Sequence, residues 1–200
     1  MKLTVPTDLS EITLGQLQDL NKVNELKLEP IELMKRSIEI LTKVDRGTLD
    51  RFRLSDLQMV YDKLLSLTKQ EEKLVKFVNI EDEKYGFHPN LSNISTGEFV
   101  DIDTLCQDLN KNLDMIMAIL YRKVTVEKSG KYQIEAYGGD IESRAKLFKE
   151  KMPANVVNGA ILFFWTLGKD YLVSSITSSN QEAQTLSTNS STKSGVGTLY

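Results

Sequence analysis

At 200 residues with 40% hydrophobic content, the chain is long enough to bury one sizeable core and need not divide into two domains. Its 25 basic and 28 acidic residues are interspersed and leave a net charge of -3, so no basic face is offered to a phosphate backbone and nucleic acid is excluded as the main partner. A single cysteine, Cys106, rules out an internal disulfide, and no segment near the start has the charged, apolar, small-residue order of a signal peptide, so a cytosolic setting is expected.

Asp8 to Asp19 (DLSEITLGQLQD) and Asn90 to Asp101 (NLSNISTGEFVD) read as one helix-starting device used twice. In each, a Ser or Thr stands three residues before a Gln or Glu, Thr13 with Gln16 and Ser95 with Glu98, which is the spacing of a capping box. The pairs Ile12 with Leu17 and Ile94 with Phe99 are placed to close hydrophobic staples over those boxes. Identical residues at Leu9/Leu91, Ser10/Ser92, Ile12/Ile94, Gly15/Gly97 and Asp19/Asp101 are compatible with an internal repeat, and equally with two ordinary well-capped helices.

After the first capped helix, Pro30 opens a second whose apolar positions Ile31, Met34, Ile38, Leu41 and Val44 recur at helical spacing, with Gly47 placed to end it. A third is expected to begin at a Ser55–Gln58 capping box stapled by Leu54 and Met59. Leu74 to His88 changes period and reads as a hairpin turning through Ile80-Glu81-Asp82-Glu83. The second capped helix is then expected to run unbroken from Thr96 to about Arg122, because Phe99, Ile102, Leu105, Leu109, Leu113, Ile116 and Leu120 keep one apolar face. A second hairpin follows, with Val124 and Val126 facing Ile134 and Tyr132 across a three-residue Lys128-Ser129-Gly130 loop. Gly138-Gly139-Asp140 offers a turn and an N-cap for a short helix to Lys151, and Met152-Pro153 opens the terminal helix.

That terminal helix contains the most apolar stretch, Val156 to Leu167, which is only 12 residues long where a membrane span needs ~20, so a buried helix is expected and no membrane is implied. Val157, Ile161, Phe164, Gly168 and Tyr171 form its stripe, while Phe163 and Trp165 lie off it and become candidate partner-binding residues. Gly15 and Gly97 join them, since a glycine in a first helical turn lowers helix propensity and implies that a partner's side chain, or the matching helix of the other half, presses on the backbone. From Ser174 to Tyr200, 13 of 27 residues are Ser or Thr, and this tail is expected to be disordered. The expected fold is α+β and mainly α-helical: about six helices and two short β-hairpins in one domain over residues 1–173, with a disordered tail over 174–200.

Residue chemistry offers little for catalysis. His88 precedes Pro89 as a partly exposed loop histidine, and with Cys106, read as a small core residue, it provides too few ligands for zinc. No G-x-S-x-G, P-loop or G-x-G-x-x-G occurs. Glu98, Asp101 and Asp103, joined by Asp108, form the densest acidic group, which complements a helix dipole more simply than it holds Mg²⁺. No metal, cofactor or catalytic residue is therefore expected.

The phrases VPTDLSEITLGQLQDL, YGFHPNLSNISTGEFVDID, MAILYRKV, IEAYGGD and MPANVVNGAILFFWTLG together resemble a group of small proteins of tailed bacteriophages, described as tail assembly chaperones. The likeness covers Lys2 to Val173 and is most particular in the Tyr85-Gly86-Phe87 and Met152-Pro153 phrases. It implies a non-enzymatic role in virion assembly in the host cytoplasm. The implied partners are the tape-measure protein and tail-tube subunits, and homo-oligomers are compatible with it. The alternative it leaves open is a structural virion component, a connector or internal protein.

Overall fold

In the computed structural model, which describes residues 3–68, 72–164 and 166, both expected capping boxes form. Thr13 caps α1 (Leu14–Glu25): its hydroxyl accepts the Gln16 N–H at 3.3 Å, and the Gln16 side chain accepts the Thr13 N–H at 3.0 Å. Ser95 caps α5 (Thr96–Cys106) in the same way, through Glu98 at 3.3 and 2.7 Å. The likeness reaches further upstream than the boxes. Each is preceded by one 3-10 turn, Leu9–Glu11 or Leu91–Asn93, opened by an Asp8 or Asn90 side chain that accepts the N–H of Ser10 or Ser92. The twelve-residue match is thus a match of backbone stereochemistry. Thr13→Ala and Ser95→Ala are each expected to cost about 0.5 to 2 kcal/mol in chemical denaturation; no measurable loss at either site would dismiss the caps as a stabilising device.

Burial separates the two copies. Ile12 and Leu17 are both buried, as the first staple requires, whereas Phe99 is 59% exposed, which the expected Ile94–Phe99 staple does not allow.

The next three helices are α2 (Pro30–Thr42), the short α3 (Arg46–Leu49) and α4 (Leu54–Leu67). Gly47 does not end α2. Lys43 does, in the left-handed conformation at φ 56, and Gly47 sits inside α3 beneath the Asp45 cap. Nor does Ser55 cap α4: the helix starts earlier, from Arg53, and the Gln58 side chain bonds Asp62 at 2.9 Å instead of reaching back. Leu54 and Met59 are both exposed, at 56% and 67%, so that staple is absent as well. Capping-box spacing arises by chance in polar first turns, and only an extended residue at the cap position makes it operative.

Both hairpins form and join into one antiparallel sheet of order β1-β2-β3-β4: β1 (Phe77–Ile80), β2 (Glu83–Phe87), β3 (Tyr121–Lys128) and β4 (Lys131–Ile134). The first turn falls on the expected residues, and the second is one residue tighter than expected. Ile80 pairs with Glu83 and Lys128 with Lys131, leaving two-residue loops, Glu81-Asp82 and Ser129-Gly130, with positive φ at all four residues as a primed turn requires. A register shift between Val124 and Val126 lets Val124 pair with Ile134 but sets Val126 against Gln133 rather than Tyr132. The joint between hairpins is β2 with β3, Phe87 opposite Tyr121. Gly86 lies under the Tyr132 ring, where an added Cβ would meet ring carbon at 2.9 Å.

The expected helix from Thr96 to Arg122 is two helices, α5 and α6 (Leu109–Leu120). Asp108 breaks it by capping α6, accepting the Lys111 N–H at 3.3 Å, while the Asn112 side chain donates to the Leu105 carbonyl, which also accepts the Asp108 N–H at 3.3 Å. A two-residue interruption preserves the apolar period, which is why the pattern read as continuous. The break also leaves Cys106 exposed rather than in the core. Leu113 and the five consecutive residues Ile116 through Leu120 of α6 are buried, and the helix packs against α1, α5 and α7 (Ile141–Lys151). Asp140 caps α7 as expected, after Gly138 and Gly139 turn the chain with positive φ. Tyr85 meets Phe148 of α7 edge-on at 4.9 Å, closing helices onto sheet.

The chain divides into two compact units, Met1–Ala160 and Ile161–Tyr200. All elements named above belong to the first, as do helical residues 154–160, whose Val157 and Ala160 are fully buried. Gly159 is where that segment meets the backbone before β1: an added Cβ would stand 2.3 Å from the Lys73 carbonyl oxygen. In the second unit residues 161–164 and 166 are described, all helical, with Ile161, Phe163 and Phe164 half-buried and Leu162 exposed. The rest of the expected stripe, Gly168 and Tyr171, and the expected disordered tail over 174–200 lie outside the described residues. Among the described residues no helix is long and apolar enough to cross a membrane.

Candidate functional site

Where β2 ends, its last turn meets the first turn of α5 over the start of β3, and three ionisable side chains converge there. Glu98 accepts the Ser95 N–H with one oxygen as part of the capping box; its other oxygen accepts from Arg122 Nη2 of β3 and stands 3.8 Å from His88 Nε2. The site is dry, with side chains of Glu98 and Arg122 only 5% and 4% exposed and that of His88 10%. Tyr137 covers the guanidinium at 6.0 Å and donates its hydroxyl to Asp101. A cleft of about 340 Å³ opens beside the cluster, lined by His88, Pro89, Glu98, Arg122 and the segment Tyr132 to Ala136, which runs from β4 past its end.

The electrostatics favour the ionised form of Glu98 and the neutral form of His88. Burial pushes the Glu98 carboxyl upward, but the two Ser95 hydrogen bonds and the Arg122 charge outweigh it, and its pKa ends below the ordinary value. Burial lowers His88, Glu98 opposes, and Arg122 reinforces the lowering. The neutral imidazole is favoured, and its Nδ1 accepts the Asn90 N–H at 3.3 Å. Burial first, then the Asp101 hydrogen bond, carries the Tyr137 phenol up to about 12.

The arrangement is a clamp: one carboxylate, shared between a backbone N–H and a buried guanidinium, ties the first turn of α5 to β3, while Asp101 is held by Tyr137. Among the described residues no group of three His, Cys, Asp or Glu side chains could hold a metal ion. His88 is the partly exposed loop histidine expected, with most of its side chain enclosed, and Glu98 does more than complement a dipole. Arg122 carried no sequence signal beyond its place directly after the apolar run of α6.

No family model, curated protein or solved structure matches the chain. The site must be read from its own residues.

Two of the four candidate partner-binding residues, Gly15 and Gly97, lie against other parts of this chain. What presses on Gly15 is neither a partner nor the matching helix but α7 of the same chain, with the Lys149 carbonyl 2.8 Å from where a Cβ would stand. Gly97 is exposed and meets only the Tyr137 ring, 3.5 Å from its Cβ position. Phe163 is half-buried in the second unit, and Trp165 lies outside the described residues. Large apolar side chains are instead exposed at Leu54, Met59 and Phe99, which were expected to close hydrophobic staples, and at Leu26 and Val100, each more than half exposed.

Proposed function

We propose that the protein is a non-enzymatic bacteriophage morphogenesis protein, a tail assembly chaperone that works in the host cytoplasm and binds the tape-measure protein and tail-tube subunits. The observation that carries a binding role is apolar surface left open by a molecule whose core is already filled: Met59 is 67% exposed, Phe99 59% and Leu26 57%, while Ile38, Leu113, Met117, Tyr121 and Phe148 are almost wholly enclosed. Such surface receives the apolar face of a client helix. The phage assignment rests on the resemblance in the phrases quoted above. The commitment of Glu98 and Arg122 to each other supports the non-enzymatic part.

Two measurements test this together. A pull-down against the tape-measure and tail-tube proteins encoded beside this chain should retain one of them, and mass spectrometry of purified virions should find the protein missing from finished particles. Binding to neither client, with the protein present in virions, would replace the chaperone by a structural component.

A further inference from the structure

The two copies of the helix-starting device have the same backbone but different company. In the first, an extended segment between α7 and the next helix lies antiparallel across the cap: Leu14 donates to the Met152 carbonyl at 2.8 Å, Ala154 donates to the Ile12 carbonyl at 2.8 Å, and Thr13 bridges Pro153. Met152 and Ala154 are wholly buried there, over a cap whose Leu9, Ile12 and Leu14 are themselves buried. In the second copy the equivalent groups are the Thr96 N–H and the Ile94 carbonyl, and neither has a hydrogen-bond partner among the described residues. The apolar surroundings are open too: Phe99 and Val100 are 59% and 52% exposed where Leu17 and Gln18 of the first copy are buried.

We infer that the cap of α5, from Ile94 to Val100, is a docking slot for an extended junction between two helices of another protein, of the apolar–Pro–small kind that Met152-Pro153-Ala154 presents to the first cap. The occupant crosses the Ile94–Thr96 backbone as a two-bond antiparallel bridge and lays an apolar side chain on Phe99. Tyr137 covers one side of Gly97, which directs the occupant toward Phe99 and Val100. A second copy of this chain is the poorer candidate, because its own junction is already spent on its own first cap, with both hydrogen bonds made. Thr96 stands where the first copy has Leu14, making this slot the more polar of the two and suited to a client that binds and leaves. The identity of the client as a helical phage protein rests on the chaperone reading; the slot itself rests on the unpaired backbone and the filled precedent.

The test uses the full-length protein carrying a fluorophore on Cys106, which is exposed at the far end of α5. The probe is a synthetic peptide with the sequence of residues 146–160. Thr96→Pro removes the docking N–H yet keeps the helix start, since Thr96 is the first residue of α5, where proline is favoured, and Ser95 before it is already extended at φ -71, ψ 156. Phe99→Asp removes the apolar platform at a position the fold leaves exposed. The peptide should titrate the wild type. Thr96→Pro should weaken binding by about fivefold and Phe99→Asp by about thirtyfold, the orders expected for a hydrogen bond and for a buried aromatic contact, with melting temperatures unchanged. No binding, or equal binding to both variants as when the peptide merely exchanges into the first cap, overturns the slot. So does peptide-free dimerisation abolished by Phe99→Asp, which would make the face a self-interface. Retention of the tape-measure protein by a chain that ignores the peptide would sink this slot and leave the chaperone reading standing.

Discussion

Glu98→Gln is expected to cost about 3 to 5 kcal/mol of folding free energy, the range for removing one partner of a buried ion pair, because it leaves the Arg122 guanidinium enclosed without a counter-charge. Arg122 is already one hydrogen bond short, its Nε having no acceptor among the described residues, so the loss of Glu98 falls on a group with little in reserve. Replacing both partners together, Glu98→Gln with Arg122→Met, should recover much of that loss, since the desolvation penalty goes with the charges. A double-mutant cycle in urea checks this, and additive losses would show that the pair is not coupled. The clamp also sets the pH dependence. Both Glu98 and His88 have lowered values in the folded chain, so their contribution is complete above the unfolded values of 4.5 and 6.5 and is lost as pH falls through the folded ones. Stability should therefore decline first in mildly acidic solution through His88 and again at lower pH through Glu98. His88→Gln should remove the first decline and leave the second, as denaturation midpoints measured from about pH 7 to pH 4 would show.

Gly159→Ala is expected to destabilise the first unit by about 2 kcal/mol or more, near the upper part of the range for overpacking. Two effects oppose each other. Alanine gains roughly 1 kcal/mol of helix propensity over glycine, but its methyl would stand 2.3 Å from the Lys73 carbonyl oxygen and 2.8 Å from the carbonyl carbon, atoms of the backbone that cannot rotate away. Relief requires the helical segment 154–160 to lift from the strand-entry segment, which would unseat Val156, Val157 and Ala160, all buried. Gly97→Ala is the matched control. Its methyl would reach only ordinary contact with Tyr137 at 3.5 Å, so propensity decides and stability should hold or rise slightly. Equal thermal melting of the two variants would show that the close approach at Lys73 is not a packing constraint.

The sequence reading was strongest where local stereochemistry decides. The two capping boxes, the Asp140 cap after two left-handed glycines and the hairpin positions all follow from short-range hydrogen bonds among residues a few places apart, and those bonds are present in the folded chain. The same local rules misfired at Ser55 and Gly47, where a correct spacing sat at a backbone position that had no need of it. The alternation of apolar residues could not expose the break at Asp108, because a gap of two residues leaves the helical period nearly in phase.

What only the tertiary structure decided lies in contacts between residues far apart in the chain. Glu98, His88 and Arg122 become one site because β2 pairs with β3 and brings the start of α5 over the joint. Gly15 is pressed by α7 and Gly97 by a loop aromatic, although both occupy the same place in the same local device. The first cap is filled by Met152-Pro153-Ala154 and the second left open for the same reason. Residues 8–19 and 90–101 by themselves determined two nearly identical backbones, since caps and turns are written in neighbouring side chains. Which copy became core and which surface depended on packing at long range, where the hydrophobic effect has no direction and only the assembled chain says what lies opposite.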